Sequence, residues 1–198
     1  MLKFVMIFCL IGVVTLWKTY FNDKNTHVFY KPFICKKLQT GDIVFRKENN
    51  IISDIFAQID HSNYSHVGIV LKQDNKCSIY HMEYDEKSED LKIVSLKDFL
   101  FQASQVQFYR YKNFSIKKKK SLSDLLFSLD PKKLSFDFDF DLDNRKFYCT
   151  EFVNFLFFHT VKKNIYTYLY DFHGKKVITV KSILLNKKDF LAFESHSL

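Results

Sequence analysis

The chain has 198 residues and is 47% hydrophobic, which suits one packed domain with an appendage and argues against wholesale disorder. Its net charge of +8 suits an anionic surface or simple solubility. No DNA- or RNA-binding motif accompanies that charge, so no nucleic-acid partner is expected.

Residues 1–21 read as a targeting segment. Lys3 precedes Phe4 to Trp17, an uncharged run closer in length to a signal-peptide core than to a comfortable membrane span. Val14-Thr15-Leu16-Trp17 makes a poor cleavage site, and Cys9 lacks the small residues of a lipoprotein site. The expectation is a retained membrane anchor through residues 4–21, with Trp17, Tyr20 and Phe21 at the interface. Residues 22–37 read as a linker, polar at first and interrupted by Pro32, and the folded domain is expected over 38–198. Such a protein is membrane-anchored or exported, with its domain outside the cytoplasm. Cys35 and Cys77 could then pair as a disulfide or remain two free thiols.

Gly41-Asp42 predicts a corner before a short strand, Ile43 to Phe45. Ile51 to Ile59 carries apolar residues at helical spacing and is expected as an amphipathic helix. Val67 to Leu71 is a short apolar run with β-branched residues, and Ser78 to Glu83 a second strand across the polar turn 72–76. Pairing them antiparallel brings His66 and His81 to the same end of a hairpin. Leu91 to Val94 predicts another strand. Ser95 with Asp98 three residues on predicts a helix start, and Val106 to Tyr111 a further strand. Arg110 there is expected to be solvated, with a substrate carboxylate as the functional alternative. Lys117 to Lys120 opens a helix with leucines at 122, 125, 126 and 129. Phe136 to Asp143 alternates strictly between apolar and acidic residues and, read alone, is an edge strand. Beyond a Tyr-rich connection, residues 176–180 and 189–193 read as strands flanking a short helix at 182–185.

Cys149 stands at the head of an apolar segment, Phe152, Val153 and Leu156, with helix-like spacing. Unpaired N–H groups at a helix N-terminus favour an anion, so the expectation is a thiol of lowered pKa able to act as a nucleophile. Glu151 works against this, since a carboxylate one turn away repels a thiolate. The competing reading is that Cys149 is a small packing residue. His66 is the candidate base and His81 the candidate orienting group, with Glu83, two residues on and on the same face, as the second choice. No metal or other cofactor is expected. There is no CxxC, no Cys/His zinc spacing, and no third ligand spaced to join His66 and His81.

Four motifs in order, Gly41-Asp42-Ile43-Val44-Phe45, Tyr64-Ser65-His66-Val67-Gly68, Phe136-Asp137 with Phe140, and Tyr148-Cys149-Thr150-Glu151, resemble those of the YiiX-like cysteine hydrolases. These form the circularly permuted branch of the NlpC-type papain-like superfamily, related to the lecithin–retinol acyltransferase group. In that branch the histidine precedes the cysteine. The resemblance covers about Leu38 to Leu191 and implies an α+β fold, an antiparallel sheet or half-barrel packed on the nucleophile helix. It implies Cys149 as nucleophile, His66 as general base and a polar third residue, falling on His81. It puts Tyr148, Asp42 and Thr150 in the substrate and oxyanion neighbourhood. The implied activity is hydrolysis of an amide or peptide bond through a thioester, on envelope material. A lipid or ester acyl group is the enzymatic alternative, and a membrane-tethered binding protein on the same fold the non-enzymatic one.

Overall fold

A computed structural model describes residues 34–48, 51–84, 91–101 and 103–197. The expected anchor lies outside the described residues, among which no helix is long and apolar enough to cross a membrane. In chain order the elements are α1 (Ile34–Lys37), β1 (Ile43–Glu48), α2 (Ile51–Ile59), β2 (His66–Gln73), β3 (Lys76–Met82), β4 (Leu91–Ser95) and α3 (Leu96–Phe101). They continue with β5 (Ala103–Tyr111), α4 (Ile116–Ser128), a 3-10 turn (Pro131–Lys133), α5 (Cys149–Val161), β6 (Tyr170–Phe172), β7 (Lys175–Val177), α6 (Val180–Leu184) and β8 (Phe190–Ser197).

Six strands form one antiparallel sheet in the order β4-β3-β2-β1-β5-β8, and β6 and β7 form a separate two-stranded ribbon. Strand periodicity sorts the side chains onto two faces. Phe45, Val67, Ile69 and Tyr80 pack with Phe152, Val153, Leu156 and Phe157 of α5 and Leu122 and Leu126 of α4. Val44, Val70, Ile79 and Phe108 pack with Leu96, Phe99 and Leu100 on and around α3, and with Ile34 and Cys35 of α1. The mixed fold with its antiparallel sheet agrees with the expectation.

Several local expectations change. The end of the expected linker is the helix α1, whose Ile34 and Cys35 are buried. Cys35 and Cys77 are joined as a disulfide that ties α1 to β3, with Cα atoms 5.9 Å apart. Arg110 is not simply solvated, because it grips Asp42 with Nε at 2.8 Å and Nη2 at 2.7 Å. Residues 136–143 form no strand; the segment's β-type pairing is limited to the isolated Phe136–Phe147 bridge. Its alternation is misleading because Asp137 points inward, fully buried, and accepts the N–H groups of Asp139 and Asp141 at 2.9 and 2.7 Å and the Asn144 amide at 2.8 Å. That wraps the chain around one carboxylate, with Phe140 at a φ of 51°. The strand expected over 176–180 stops at Val177, because Thr179 caps α6 by accepting the Ser182 N–H.

The disulfide closes a long loop around β1 and β2, so its loss should cost about 2–4 kcal/mol of stability. Urea unfolding with and without reductant, beside the Cys35→Ser/Cys77→Ser protein, measures this; overlapping curves for the oxidised and reduced protein would show that no bond had formed.

Candidate active site

The first turn of α5 is fixed from outside the helix. Tyr148 is its N-cap, and Glu151 accepts the Tyr148 N–H at 3.4 Å. The Tyr148 hydroxyl accepts the Ile178 N–H at 2.7 Å, and the Thr150 hydroxyl donates to the Ile178 carbonyl at 2.6 Å. Both side chains are therefore committed to the segment before α6, and it is the backbone of Thr150 that faces the cysteine. Burial pushes the Glu151 carboxyl up to about 8, with Asp137, Asp141 and Asp143 adding to the rise, against the lowering effect of the Tyr148 N–H. At neutral pH it is mostly protonated, which removes much of the repulsion expected on a thiolate.

The pairing of β2 with β3 runs from Gln73↔Lys76 to Ile69↔Tyr80 and ends there. Both strands continue, β2 back to His66 and β3 on to Met82. In this fork the Val67 N–H is directed at the half-buried Cys149 sulfur, as are the N–H groups of Thr150 and Cys149. The nucleophile candidate thus sits one peptide unit from His66. Gly68 allows the other side of the fork to close in, since a Cβ there would meet Ile79 Cγ2 at 2.4 Å and His81 Cβ at 3.3 Å.

His66 Nε2 lies 2.8 Å from His81 Nδ1, with the rings edge-on at 5.0 Å. Glu83 is farther, its Oε2 3.8 Å from the same His81 nitrogen. Of the two candidates for the third position, His81 is the one hydrogen-bonded to His66. Both imidazoles pack on Phe99, at 5.9 and 5.0 Å between ring centroids. Because Nε2 of His66 is engaged, only Nδ1 is left to take a proton from Cys149. Asp42 does not join this group. Its backbone pairs with Val70, four residues along β2 from His66, or about 13 Å at ~3.3 Å per residue. Its buried carboxylate is spent on Arg110 and the Gln39 N–H.

Electrostatics departs from the helix-terminus expectation. Burial pushes the Cys149 thiol up to about 11; the three backbone N–H groups pull it back only partly, and Glu83 adds to the rise. Burial likewise holds His66 and His81 well below the usual imidazole range, Arg46 adding to the effect on both. The resting pair is a neutral thiol beside a neutral imidazole.

Arg46 carried no signal as a functional residue in the sequence. It stands directly opposite His66 in the β1–β2 pairing and is 4% exposed. It bonds Glu83 and Glu48 through Nη2 and the Phe99 carbonyl through Nη1 at 2.9 Å.

Glu83 also supplies the third metal-ligand type that sequence spacing did not show. His66, His81 and Glu83 hold ligand atoms within 4.8 Å of one another. Two nitrogens on a tetrahedral zinc, each bound at about 2.0–2.1 Å, lie about 3.3 Å apart. The 2.8 Å separation here is that of a hydrogen bond, and Arg46 holds one of the two Glu83 oxygens. In this arrangement the two bonded nitrogens do not fit as joint ligands of one tetrahedral zinc.

A cysteine-headed helix packed on an antiparallel sheet, with its histidine earlier in the chain, is the plan of the permuted papain-like cysteine hydrolases, and this chain is one of them. Residues 37–186 match the family described as "Permuted papain-like amidase enzyme, YaeF/YiiX, C92 family", and the chain belongs to that family of amide hydrolases. Among solved structures it is similar to the metalloprotein yiiX from Escherichia coli O157:H7, with a TM-score of 0.68 and 17% identity. The likeness covers 81% of this chain and 98% of that one, and at such identity it speaks for the fold. No curated protein matches.

Two measurements follow from the neutral pair. Alkylation of Cys149 by iodoacetamide should accelerate with pH through the alkaline range, toward an apparent pKa of about 11. A plateau already reached below pH 7 would reveal a preformed thiolate–imidazolium pair. His81 stays neutral in the folded state below ~6.5, where the unfolded chain takes up its proton, so the native state loses about 1.4 kcal/mol per pH unit there. The stability penalty of His81→Asn should therefore shrink by about that amount per unit on acidification, read from urea melts; a penalty independent of pH would contradict a buried neutral His81.

Proposed function

We propose that Cys149 is the nucleophile of an amide or peptide hydrolase, His66 its general base, and His81 the residue that orients the His66 imidazole. The observation that carries this reading is the 2.8 Å bond from His66 to His81, with the Cys149 sulfur on the N–H of the next residue. As the sulfur attacks the acyl carbon, its proton passes to His66 Nδ1 and an S–C bond forms. The N–H groups at the head of α5 receive the negative charge that develops on the carbonyl oxygen. His66 returns the proton to the departing amine as the C–N bond breaks, leaving a thioester. Water then attacks the thioester with His66 again accepting a proton, and release of the acid restores the thiol. During both steps the imidazolium Nε2–H donates to His81 Nδ1, which holds the ring and leaves Nδ1 of His66 to exchange the proton.

Envelope material is the favoured substrate, and an exported domain held to the membrane through residues 4–21 the favoured setting. The Cys35–Cys77 bond supports this, because disulfides persist in oxidising compartments. Lipid or ester acyl groups form a second reading, supported by the aromatic cluster of Tyr84, Phe136 and Phe138. It flanks the site between Glu83 and the nucleophile segment, with Tyr84 and Phe138 each 50% exposed. The similar bacterial structure is titled a metalloprotein. The reading for this chain is a thiol mechanism without a resident metal.

The full chain should hydrolyse acyl-peptide amides in the presence of EDTA. His66→Ala should lower the rate by about 10²–10⁴-fold. Cys149→Ser should abolish the covalent acyl-enzyme seen by mass spectrometry. Turnover that survives Cys149→Ser, or that EDTA removes and zinc restores, would defeat the thiol mechanism. Faster cleavage of long-chain esters than of peptide amides would favour the second reading.

A further inference from the structure

Arg46 is a buried cation whose guanidinium bonds neighbours of the histidine pair without bonding either imidazole. One side of its guanidinium grips Glu83 and Glu48, and the other donates to the Phe99 carbonyl. Its central carbon lies 4.3 Å over the Phe99 ring, the same ring on which both imidazoles rest. Glu83 therefore has one oxygen held by Arg46, while its other oxygen stands 3.8 Å from His81 Nδ1, just outside hydrogen-bonding reach. His81 Nδ1 has two suitors, the Glu83 carboxylate and His66 Nε2, and can serve one. A carboxylate takes a proton donor, so capture by Glu83 would place the His81 proton on Nδ1. That nitrogen could then no longer accept from His66.

We propose that Arg46 is a positioning residue: by holding Glu83 back, it keeps His81 Nδ1 as an acceptor and so gives His66 the tautomer with Nδ1 open toward Cys149. This rests on the assignment of His66 as the base. The His81 proton then sits on Nε2, a buried atom with no partner among the described residues. Leaving that atom unbonded is a cost that the opposite tautomer would not reduce, since Nε2 would be buried and unbonded either way. The choice between tautomers is thus left to the Nδ1 side, which Arg46 controls.

The test is the imidazole tautomer, read by long-range ¹H–¹⁵N correlation in the full chain labelled at histidine. In the parent protein, both His66 and His81 should carry their protons on Nε2. In Arg46→Met the His81 proton should move to Nδ1, and in Arg46→Met/Glu83→Leu it should return to Nε2, because the competing carboxylate is gone. Arg46→Lys keeps a buried positive charge but lacks the fork that reaches Glu83, Glu48 and Phe99 together. It should show the same shift in a folded protein if Arg46→Met does not fold. Amide turnover by the single Arg46 variants should drop about 10–100-fold, with recovery in the double variant. A His81 proton on Nδ1 in the parent, a tautomer unmoved by either Arg46 substitution, or no return in the double variant would each overturn the proposal. The spectra need no substrate, so they judge Arg46 even if the amide assay fails and the hydrolase assignment with it.

Discussion

One backbone N–H, that of Val67, organises the centre of this protein. In a regular ladder it would pair with β3, but the pairing stops at Ile69↔Tyr80 and leaves a fork. A buried N–H without a partner is costly, so the fork must be filled. It is filled by the head of α5, whose Cys149 sulfur faces that N–H. The same opening leaves His66 and His81 at the mouth of the hairpin, close enough to bond each other. Helix, sheet and histidine pair are therefore brought together by one interruption in hydrogen bonding.

The price of this arrangement is burial, and it sets the resting chemistry. Desolvation outweighs the three N–H groups around the sulfur and the imidazoles' own basicity, so thiol and base wait in neutral form. A neutral site is inert until an acyl carbon arrives and charge can develop on a carbonyl oxygen instead of on the free sulfur. The protonated state of Glu151 belongs to the same logic, since an ionised carboxylate in the first turn of α5 would oppose even a transient thiolate.

Around this centre the charged residues are mostly structural. Asp137 wraps the segment leading to the nucleophile, Ile178 anchors both Tyr148 and Thr150, and Arg110 with Asp42 closes the corner before β1. Gly41 belongs to that corner: its φ is 92°, and a Cβ would strike the Phe114 ring at 2.2 Å. The disulfide clamps the opposite end of the hairpin, where β3 begins. The ends of the β2–β3 hairpin are thus differently built, one cross-linked and the other open around the catalytic candidates.

Much of this was legible in the order of residues. The β2–β3 hairpin, the helix behind Cys149 and α4 follow from periodicity, because each buries one face and its apolar spacing records which, and α2 forms as a helix where the same spacing placed one. The neighbourhood of His66 and His81 follows from hairpin arithmetic alone. The alternation of residues 136–143 misled because spacing cannot tell a solvated aspartate from one turned inward to collect backbone N–H groups. Asp42 read as part of the site, yet register sets it against Val70, four residues along β2 from His66. The contacts of buried Arg46 and the neutral charge state of Cys149 were beyond the sequence for one reason. Each depends on which groups are excluded from water together, and desolvation is a property of packed neighbours far apart in the chain.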